Sequence, residues 1–583
     1  MRWLVFIMAW LAAATAAQAQ DLVVRGGTVV NPDGRAPITN AVVVVRGGRI
    51  VDVGRAGAVR IPAGLPVIDA TGKWIVPGYI DAHVHFFQSG GLYTRPDGID
   101  LRRAVPYEQE LGTIQARLDD TFARYLASGV TAVADVGGPM TNFDVRDRAA
   151  ANPRAPRAAV TGPLISTWAP PVLSEVPDPP IIAATTPEEA RALVRAQLPR
   201  RPDFIKIWYV VRQGETPAQF LPVVRAAIEE AHSNGLRVAV HATELETARA
   251  AVQAGADILV HGIEDRPVDP AFIALLRERG TIYTTTLAVY GGYLRTFTQR
   301  PGFTEREFAL ADPRVMGSLM DLAHLPDDVV PAQIRQLRGV AAPEPQLDVL
   351  LRNLRTVRDA GIPIAMGTDA GNIGTLPGPS IYREFALMAR GGMTPAEVLR
   401  ASTVTAARLM GRSDDLGLVA RGRHADMVVL DADPLADVAN LSRIAMVVKG
   451  GRPFRQSELI SAAPADVVQR QLNAYNAHDI DAFIATYHPD ARLYEYPDRQ
   501  RAQGHEVMRG IYGPLFTNRP ALHARVPRRI AMGDYVIDEE VVTGIPNGAT
   551  ATATAIYEVK DGLITRVWFI DGGMERSQTP AQP

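Results

Sequence analysis

The sequence predicts an α/β protein built around a (β/α)8 TIM-like barrel, and three observations predict it. Apolar, strand-like runs near 75–84, 130–136, 157–165, 204–209, 237–242, 257–261, 281–287 and 362–368 alternate with helical patterns, the sequence form of parallel βα units. Eight such runs make a barrel the simplest closure. Histidines and an aspartate recur where these runs end, on the side where barrel active sites assemble. A chain of 583 residues also exceeds a single core, so at least two domains are expected.

In chain order, residues 1–19 have one Arg, an apolar run and the small-residue site Ala17-Gln18-Ala19, which predict a signal peptide cleaved after Ala19 and export to a bacterial periplasm. The apolar run is shorter than the ~20 residues of a spanning helix, so no membrane contact is expected after cleavage. Residues 20–72 hold short β-rich runs broken by glycines, and 413–452 hold more of the same, "HADMVVLDADP" and "IAMVVKGGRPF". Two β-rich pieces flanking one central region predict a composite β-sandwich, with the barrel at 73–412. Helices such as "PAQFLPVVRAAIEEAHSNG" have apolar residues at helical spacing and an Asn-Gly stop. The Pro- and Asp-rich connection 295–345 is long for a loop and is expected to form a lid or substrate wall. A linker at 453–464 then leads to an α+β domain at 465–575.

With 61 basic against 63 acidic side chains, the chain has no electrostatic footprint for nucleic acid, and a small-molecule substrate is expected instead. There are no cysteines, so a metal would be held by His, Asp, Glu or something less usual. Lysine occurs only at Lys73, Lys206, Lys449 and Lys560, so each invites a reason.

In "WIVPGYIDAHVHFF", His83 and His85 are one residue apart at a strand end, so both side chains share a face. A hydrogen-bonded buried pair would account for them equally well. His241 in "RVAVHATE", His261 in "ADILVHGIED" and Asp369 in "IPIAMGTDAGN" end later strands, whereas His232, His324 and His424 do not. Lys206 lies within "DFIKIWYVV". Its ammonium could reach solvent along its apolar stem, or, desolvated, lose its proton and react as a free amine.

The motifs "VPGYIDAHVH", "GVTAVADVGG", "IKIW", "VHGIED", "GTDAGN" and "GMTPAEVLRASTVTAARLMG" resemble the amidohydrolase superfamily over about 21–455, most of all its imidazolonepropionase-like and Xaa-Pro dipeptidase-like branch. The resemblance implies a metal-dependent hydrolase with two divalent ions, zinc first. His83, His85 and Asp369 would hold one ion, His241 and His261 the other, and a carbon dioxide adduct of Lys206, the carboxylated lysine, would bridge them. Two such cations lower the pKa of a shared water toward ~7. Asp369 is then the expected catalytic proton carrier for attack of the metal-bound hydroxide on a carbon–nitrogen bond in an amide, cyclic amide or dipeptide. Lactone, ester or phosphotriester hydrolysis is the alternative, and a non-enzymatic ligand-binding protein a more distant one. Tyr209, Arg212 and Tyr290 follow barrel strands and are candidate substrate contacts, Arg212 for a substrate carboxylate.

Residues 464–573 resemble the SnoaL-like members of the nuclear transport factor 2 superfamily, a conical α+β fold, through "LNAYNAHDIDAFIATYHPDARLYEYP" and "GHEVMRGIY". Aligned on that stretch, the oxyanion tyrosine of isomerase relatives falls near Gln471, their base near Glu495 and their second acid near Ala555. The donor pair is missing, so ligand binding or packing into a homo-oligomer is the expected role.

Overall fold

The computed structural model describes residues 20–340 and 345–576; the signal sequence expected at 1–19 lies outside the described residues. Tyr79–Val84, Val130–Asp135 and Arg157–Val160 pair in parallel as one sheet. Seven further parallel strands form a second sheet, in the order Ile181–Ala183, Leu164–Ser166, Ile205–Trp208, Val238–His241, Ile258–Val260, Ile282–Thr284 and Ile364–Ala365. The run expected as one strand over 157–165 is broken, because its first half pairs back onto Val130–Asp135 and its second half pairs forward onto Ile205–Trp208. Backbone bonds join the two sheets at the other edge: Ala82 N–H to Met366 O (3.0 Å), Asp369 N–H to His83 O (2.8 Å) and His85 N–H to Ala370 O (2.9 Å).

Upstream, Trp74–Pro77 pairs antiparallel with Met427–Leu430, which pairs in turn with Ile444–Lys449. This sheet packs against a second one made of Leu22–Arg25, Ala41–Arg46, Arg49–Arg55 and Val67–Asp69, with Val24, Val43, Ile75, Met427 and Val429 in the shared core. N- and C-terminal segments therefore complete each other. Gly78 joins Trp74–Pro77 to the His83 strand, and a Cβ there would lie 2.1 Å from the Thr131 hydroxyl. Only glycine allows that approach.

The C-terminal sheet runs in the order Arg499–Gln503, Tyr487–Glu495, Leu563–Arg576, Ala549–Lys560, Tyr535–Thr543, His523–Met532. Helices Pro464–Asn476, Ile480–Ala485 and Gly504–Asn518 pack with it. Two expectations change here. The connection expected as a lid folds into short helices, Glu305–Leu310 and Pro313–Ser318 among them, whose Phe308, Met316 and Leu322 share one core with Val467 and Val468. It joins the two halves of the molecule. The stretch 453–464, expected as a linker, is tied down because Phe454 and Leu459 bury against Ala123 and Leu126, and Gln456 Nε2 donates to Ala127 O at 2.7 Å. Among the described residues no helix is long and apolar enough to cross a membrane.

A buried charge cluster ties the three-stranded parallel sheet to the sheet of Trp74–Pro77, Met427–Leu430 and Ile444–Lys449. Arg157 donates to both oxygens of Asp426 (2.7 and 3.3 Å), which also accepts from Gly450 N–H at 2.7 Å. Burial opposes ionisation of Asp426, but the Lys449 ammonium and the Arg157 guanidinium outweigh it and hold the carboxyl down to about 2. A folded-state pKa below the unfolded value stabilises the fold above the unfolded pKa, and that stabilisation disappears as pH falls through the folded value. Wild type should therefore lose about 2 kcal/mol between roughly pH 4 and 2 that Asp426→Asn does not lose, as read from urea midpoints across pH. Parallel curves for the two proteins would remove Asp426 from the account.

Candidate metal centre

Strand alternation explains how the first two histidines are presented. His83 and His85 turn to one face, while Val84 and Phe86 turn to the other and bury Phe86 against the rings of Phe122 and Tyr125. The pairing of the first strand with residues 366–370 then brings Asp369 alongside: Nε2 of His83 and Nε2 of His85 are each 3.3 Å from Asp369 Oδ1. A Cβ on Gly367 would lie 2.6 Å from that of His83, so only glycine permits this approach. The potential ligand atoms of His83, His261 and Asp369 all lie within 4.8 Å of one another. His241 completes the group, its ring 4.5 Å from that of His261, which is itself 4.7 Å from that of His83. Lys206 is 1 % exposed on the neighbouring strand, in register with Ala239.

The electrostatics favour neutral bases. Burial pushes the His83 imidazole down to about 4 against the pull of Asp369, and it holds His241 and His261 well below the usual histidine range. Burial likewise pushes the Lys206 ammonium down to about 7, with Asp369 acting against it. Burial also opposes ionisation of Asp369, but His83 and the other imidazoles around it win and keep it a carboxylate. Neutral imidazole and carboxylate are the forms that ligate a divalent cation. Tautomers are set from behind, with His85 Nδ1–H donating to Gly137 O and His261 Nδ1 paired with Thr286 Oγ1, both at 2.7 Å. His83 is fully buried, and apart from the 3.3 Å approach of Nε2 to Asp369 Oδ1 its ring nitrogens have no hydrogen-bond partner. Unsatisfied nitrogens beside a carboxylate form a donor set that a cation completes.

Backbone strain is concentrated at the same place. His261, Thr286 and Asp369 have φ of 76°, 71° and 60°, the left-handed region that L side chains avoid. Such residues cost on the order of 1–3 kcal/mol each and persist where the surroundings over-determine them.

Several site residues escaped the sequence reading. Asp81 accepts from Thr368 N–H (3.0 Å) and the Thr368 hydroxyl (2.6 Å), and Asp135 accepts from the Phe86 and Gly137 N–H groups (3.0 and 3.1 Å). Burial raises them to about 7 and about 6. Each is an acid inside an apolar strand, "YIDAHV" and "VTAVAD", and that anomaly was the available signal. Asn372 Nδ2 donates to Asp369 Oδ1 at 2.7 Å, while its own oxygen accepts from Tyr293 (2.9 Å) and from Arg95, which is paired with Asp97. This relay joins two loops and the helix Ala288–Phe297 and left no local pattern.

The substrate candidates divide. Tyr209 is fully buried with Ile205, Ile207 and Val224 in the layer between sheet and helix, its hydroxyl donating to Pro217 O. It therefore faces away from Lys206, because residues 205, 207 and 209 share one side of the strand and 206 and 208 the other. Trp208 takes the place expected of Tyr209, its ring 5.9 Å from that of His241. Arg212 is exposed, paired with Glu215 at 2.6 Å, and lies over the Trp168 ring. Tyr290 is half-buried and hydrogen-bonded to Glu264, and its environment includes the charge of Asp369. In the C-terminal domain Glu495 is paired with Arg499 at the surface, while Gln471 and Ala555 are buried. Among the acids there, half-buried Glu540 accepts from Tyr557 at 2.8 Å and is pushed up to about 7 by burial.

Comparison with known proteins identifies the family of this fold. The amidohydrolase family model matches residues 74–454 and the SnoaL-like domain model residues 468–567. Ochratoxinase from Aspergillus niger is 25 % identical over 487 residues, covering 76 % of this chain and 89 % of its own. Imidazolonepropionase from Cupriavidus metallidurans is 24 % identical over 449 residues, covering 72 % and 92 %. A Xaa-Pro dipeptidase solved with methionine in its active site superposes with a TM-score of 0.57 at 22 % identity, covering 75 % of this chain and all of that one. With the strand-end histidines and Asp369 gathered inside the matched region, the chain belongs to the amidohydrolase family and carries a SnoaL-like domain behind its hydrolase fold.

Proposed function

We propose that the protein hydrolyses carbon–nitrogen bonds of small amides, such as dipeptides, N-acyl amino acids or cyclic amides, in a metal-dependent reaction. The observation that carries this reading is a buried set of neutral imidazoles around Asp369, with the unpartnered His83 at its centre. In this reading the two parallel sheets close into one eight-stranded barrel, with Arg157–Val160 and Leu164–Ser166 as two halves of one strand and Ile181–Ala183 outside the eight, residues 20–72 and 413–452 its sandwich, and 465–575 the appended domain. His83, His85 and Asp369 would hold one divalent ion, His241 and His261 would hold the other, and Lys206, carboxylated, would supply a further ligand. Its burial, which pushes the ammonium down to about 7 and makes the free amine available for carbon dioxide, supports that role. Zinc suits these donors, and manganese, cobalt or iron can substitute.

Bound divalent cations supply Lewis-acid polarisation of the scissile carbonyl and a lowered pKa for the attacking water. The chain's own residues do the rest. Asp369 accepts the proton of the attacking water and passes it to the leaving nitrogen. Asn372, fixed by Arg95 and Tyr293, holds the carboxylate in position. Trp208, Tyr290 and Arg212 are the proposed substrate contacts, Trp208 supported by its ring 5.9 Å from that of His241 and Tyr290 by the charge of Asp369 in its environment. The name of the Xaa-Pro dipeptidase supports a dipeptide-like ligand. Export to the periplasm is proposed on residues 1–19. Homo-oligomerisation is proposed on the exposed Ile530, Met532, Ile570 and Met574 of the C-terminal sheet.

A turnover screen of metal-loaded protein against X-Pro dipeptides, N-acyl amino acids, cyclic amides and lactones should find its best substrate among the amides. On that substrate Asp369→Asn should lower kcat by about 10²–10⁴-fold; full activity in the variant sinks the mechanism. Thr286→Val removes the partner of His261 Nδ1 and should weaken metal binding about 10–100-fold in chelator competition. Unchanged affinity would leave Thr286 without that role. In light scattering, Met532→Glu should shift the full chain toward the monomer mass, and an unaltered mass counts against the sheet contact.

A further inference from the structure

Behind the His83 strand is a cavity of about 190 Å³ whose apolar walls include Phe86, Ile114, Val315 and Leu376. Phe86 alternates with His83 and His85, so the cavity lies on the opposite side of that strand from the metal centre. Three guanidinium groups line it, of which that of Arg117 is committed to Asp312 and Asp120. Arg124 is 1 % exposed; its Nε donates to Asp120 Oδ2 (2.8 Å) and its Nη1 to Leu310 O (2.9 Å) and Ala311 O (2.6 Å). Its Nη2 has no partner, a costly state for a buried charged donor. Arg314 is 58 % exposed along its side chain, with its nearest acid, Asp466, at 4.0 Å.

The acids facing the cavity are already engaged. Asp312 is held by Arg117 and by the backbone N–H of Arg314 at 2.9 Å. Glu110 accepts the Ser89 hydroxyl at 2.6 Å, and burial raises its pKa, which weakens its claim on either arginine. Beside the committed Arg117, one enclosed and one open guanidinium thus line a space whose remaining walls are part apolar and part polar, Gln88, Thr113 and Thr121 among the polar ones.

We propose that this cavity binds a small apolar carboxylic acid, its carboxylate held by Arg124 and Arg314 and its apolar body against Phe86, Ile114, Val315 and Leu376. A cavity of ~150 Å³ admits benzene, so a monocyclic aromatic acid fits the space, whereas a bare inorganic anion leaves the apolar walls uncovered. In the chain, Gln88 and Ser89 of the lining follow His85, and the cavity also touches an element held by the C-terminal domain. The helix Pro313–Ser318, which carries Arg314 and Val315, is held from its other side by Asn473 Nδ2 donating to Pro313 O at 2.5 Å. Amide hydrolysis releases carboxylic acids, so the site accepts the product class of the proposed reaction. That link rests on the proposed function; the binding itself does not.

The test is calorimetric titration of phenylacetate into full-length, metal-loaded protein, with inorganic phosphate and phenethylamine as comparisons. Phenylacetate should bind saturably and the other two at least about 10-fold more weakly. Its Kd should rise at least about 10-fold in Arg314→Gln and in the cavity-filling Val315→Trp, and stay within about 2-fold in Asp369→Asn. Absence of saturable binding, or phosphate binding as tightly as phenylacetate, overturns the proposal. So does binding that Asp369→Asn abolishes while the two cavity variants leave it intact. Turnover of amides by wild type is scored separately, so the hydrolase reading and the acid site fail independently.

Discussion

Everything at the candidate metal centre depends on one set of backbone hydrogen bonds, those joining the first strand to the segment after the last. Asp369 N–H on His83 O and His85 N–H on Ala370 O bring together side chains almost three hundred residues apart in sequence. Parallel pairing at that edge fixes the height of Asp369 relative to both histidines, and Gly367 is the residue that lets the strands come so close. The left-handed backbone at Asp369, His261 and Thr286 is the local cost of aiming three side chains into one small volume.

The second constraint is burial of ionisable groups. Lys206, Asp81, Asp135 and Glu384 are enclosed, and burial moves each toward its neutral form. The acids then serve as hydrogen-bond anchors for the loops that carry the histidines and Asp369, with Glu384 accepting from Ala288 N–H at 2.8 Å. Asp426 is the opposite case, because two cations beside it keep it ionised. The same burial therefore moves a group toward its neutral form in one place and, beside two cations, leaves an ion pair in another, according to what stands next to it.

Long-range packing decided what local pattern could not. The stretch 295–345 reads as a lid because it is polar and irregular, yet its sparse apolar residues, Phe308, Met316 and Leu322, are those that bury against Val467 and Val468. Residues 453–464 read as a linker for the same reason, and Phe454 and Leu459 anchor them. Tyr209 was misplaced for a simpler cause: it was judged by its position after the strand rather than by its parity with Lys206, and parity decides which face a strand residue takes.

The amino-acid sequence alone determined the βα alternation, the composite sandwich, the family and the chemical identity of the strand-end residues His83, His85, Lys206, His241, His261 and Asp369. These are local properties: periodicity, residue type and position at the end of an apolar run. Tertiary structure alone decided the Asn372–Arg95–Tyr293 relay, the unpartnered state of His83 and Arg124, and the docking of the C-terminal domain onto the excursion. Each requires groups from distant segments to meet at hydrogen-bonding or van der Waals distance, and no spacing along the chain encodes that meeting.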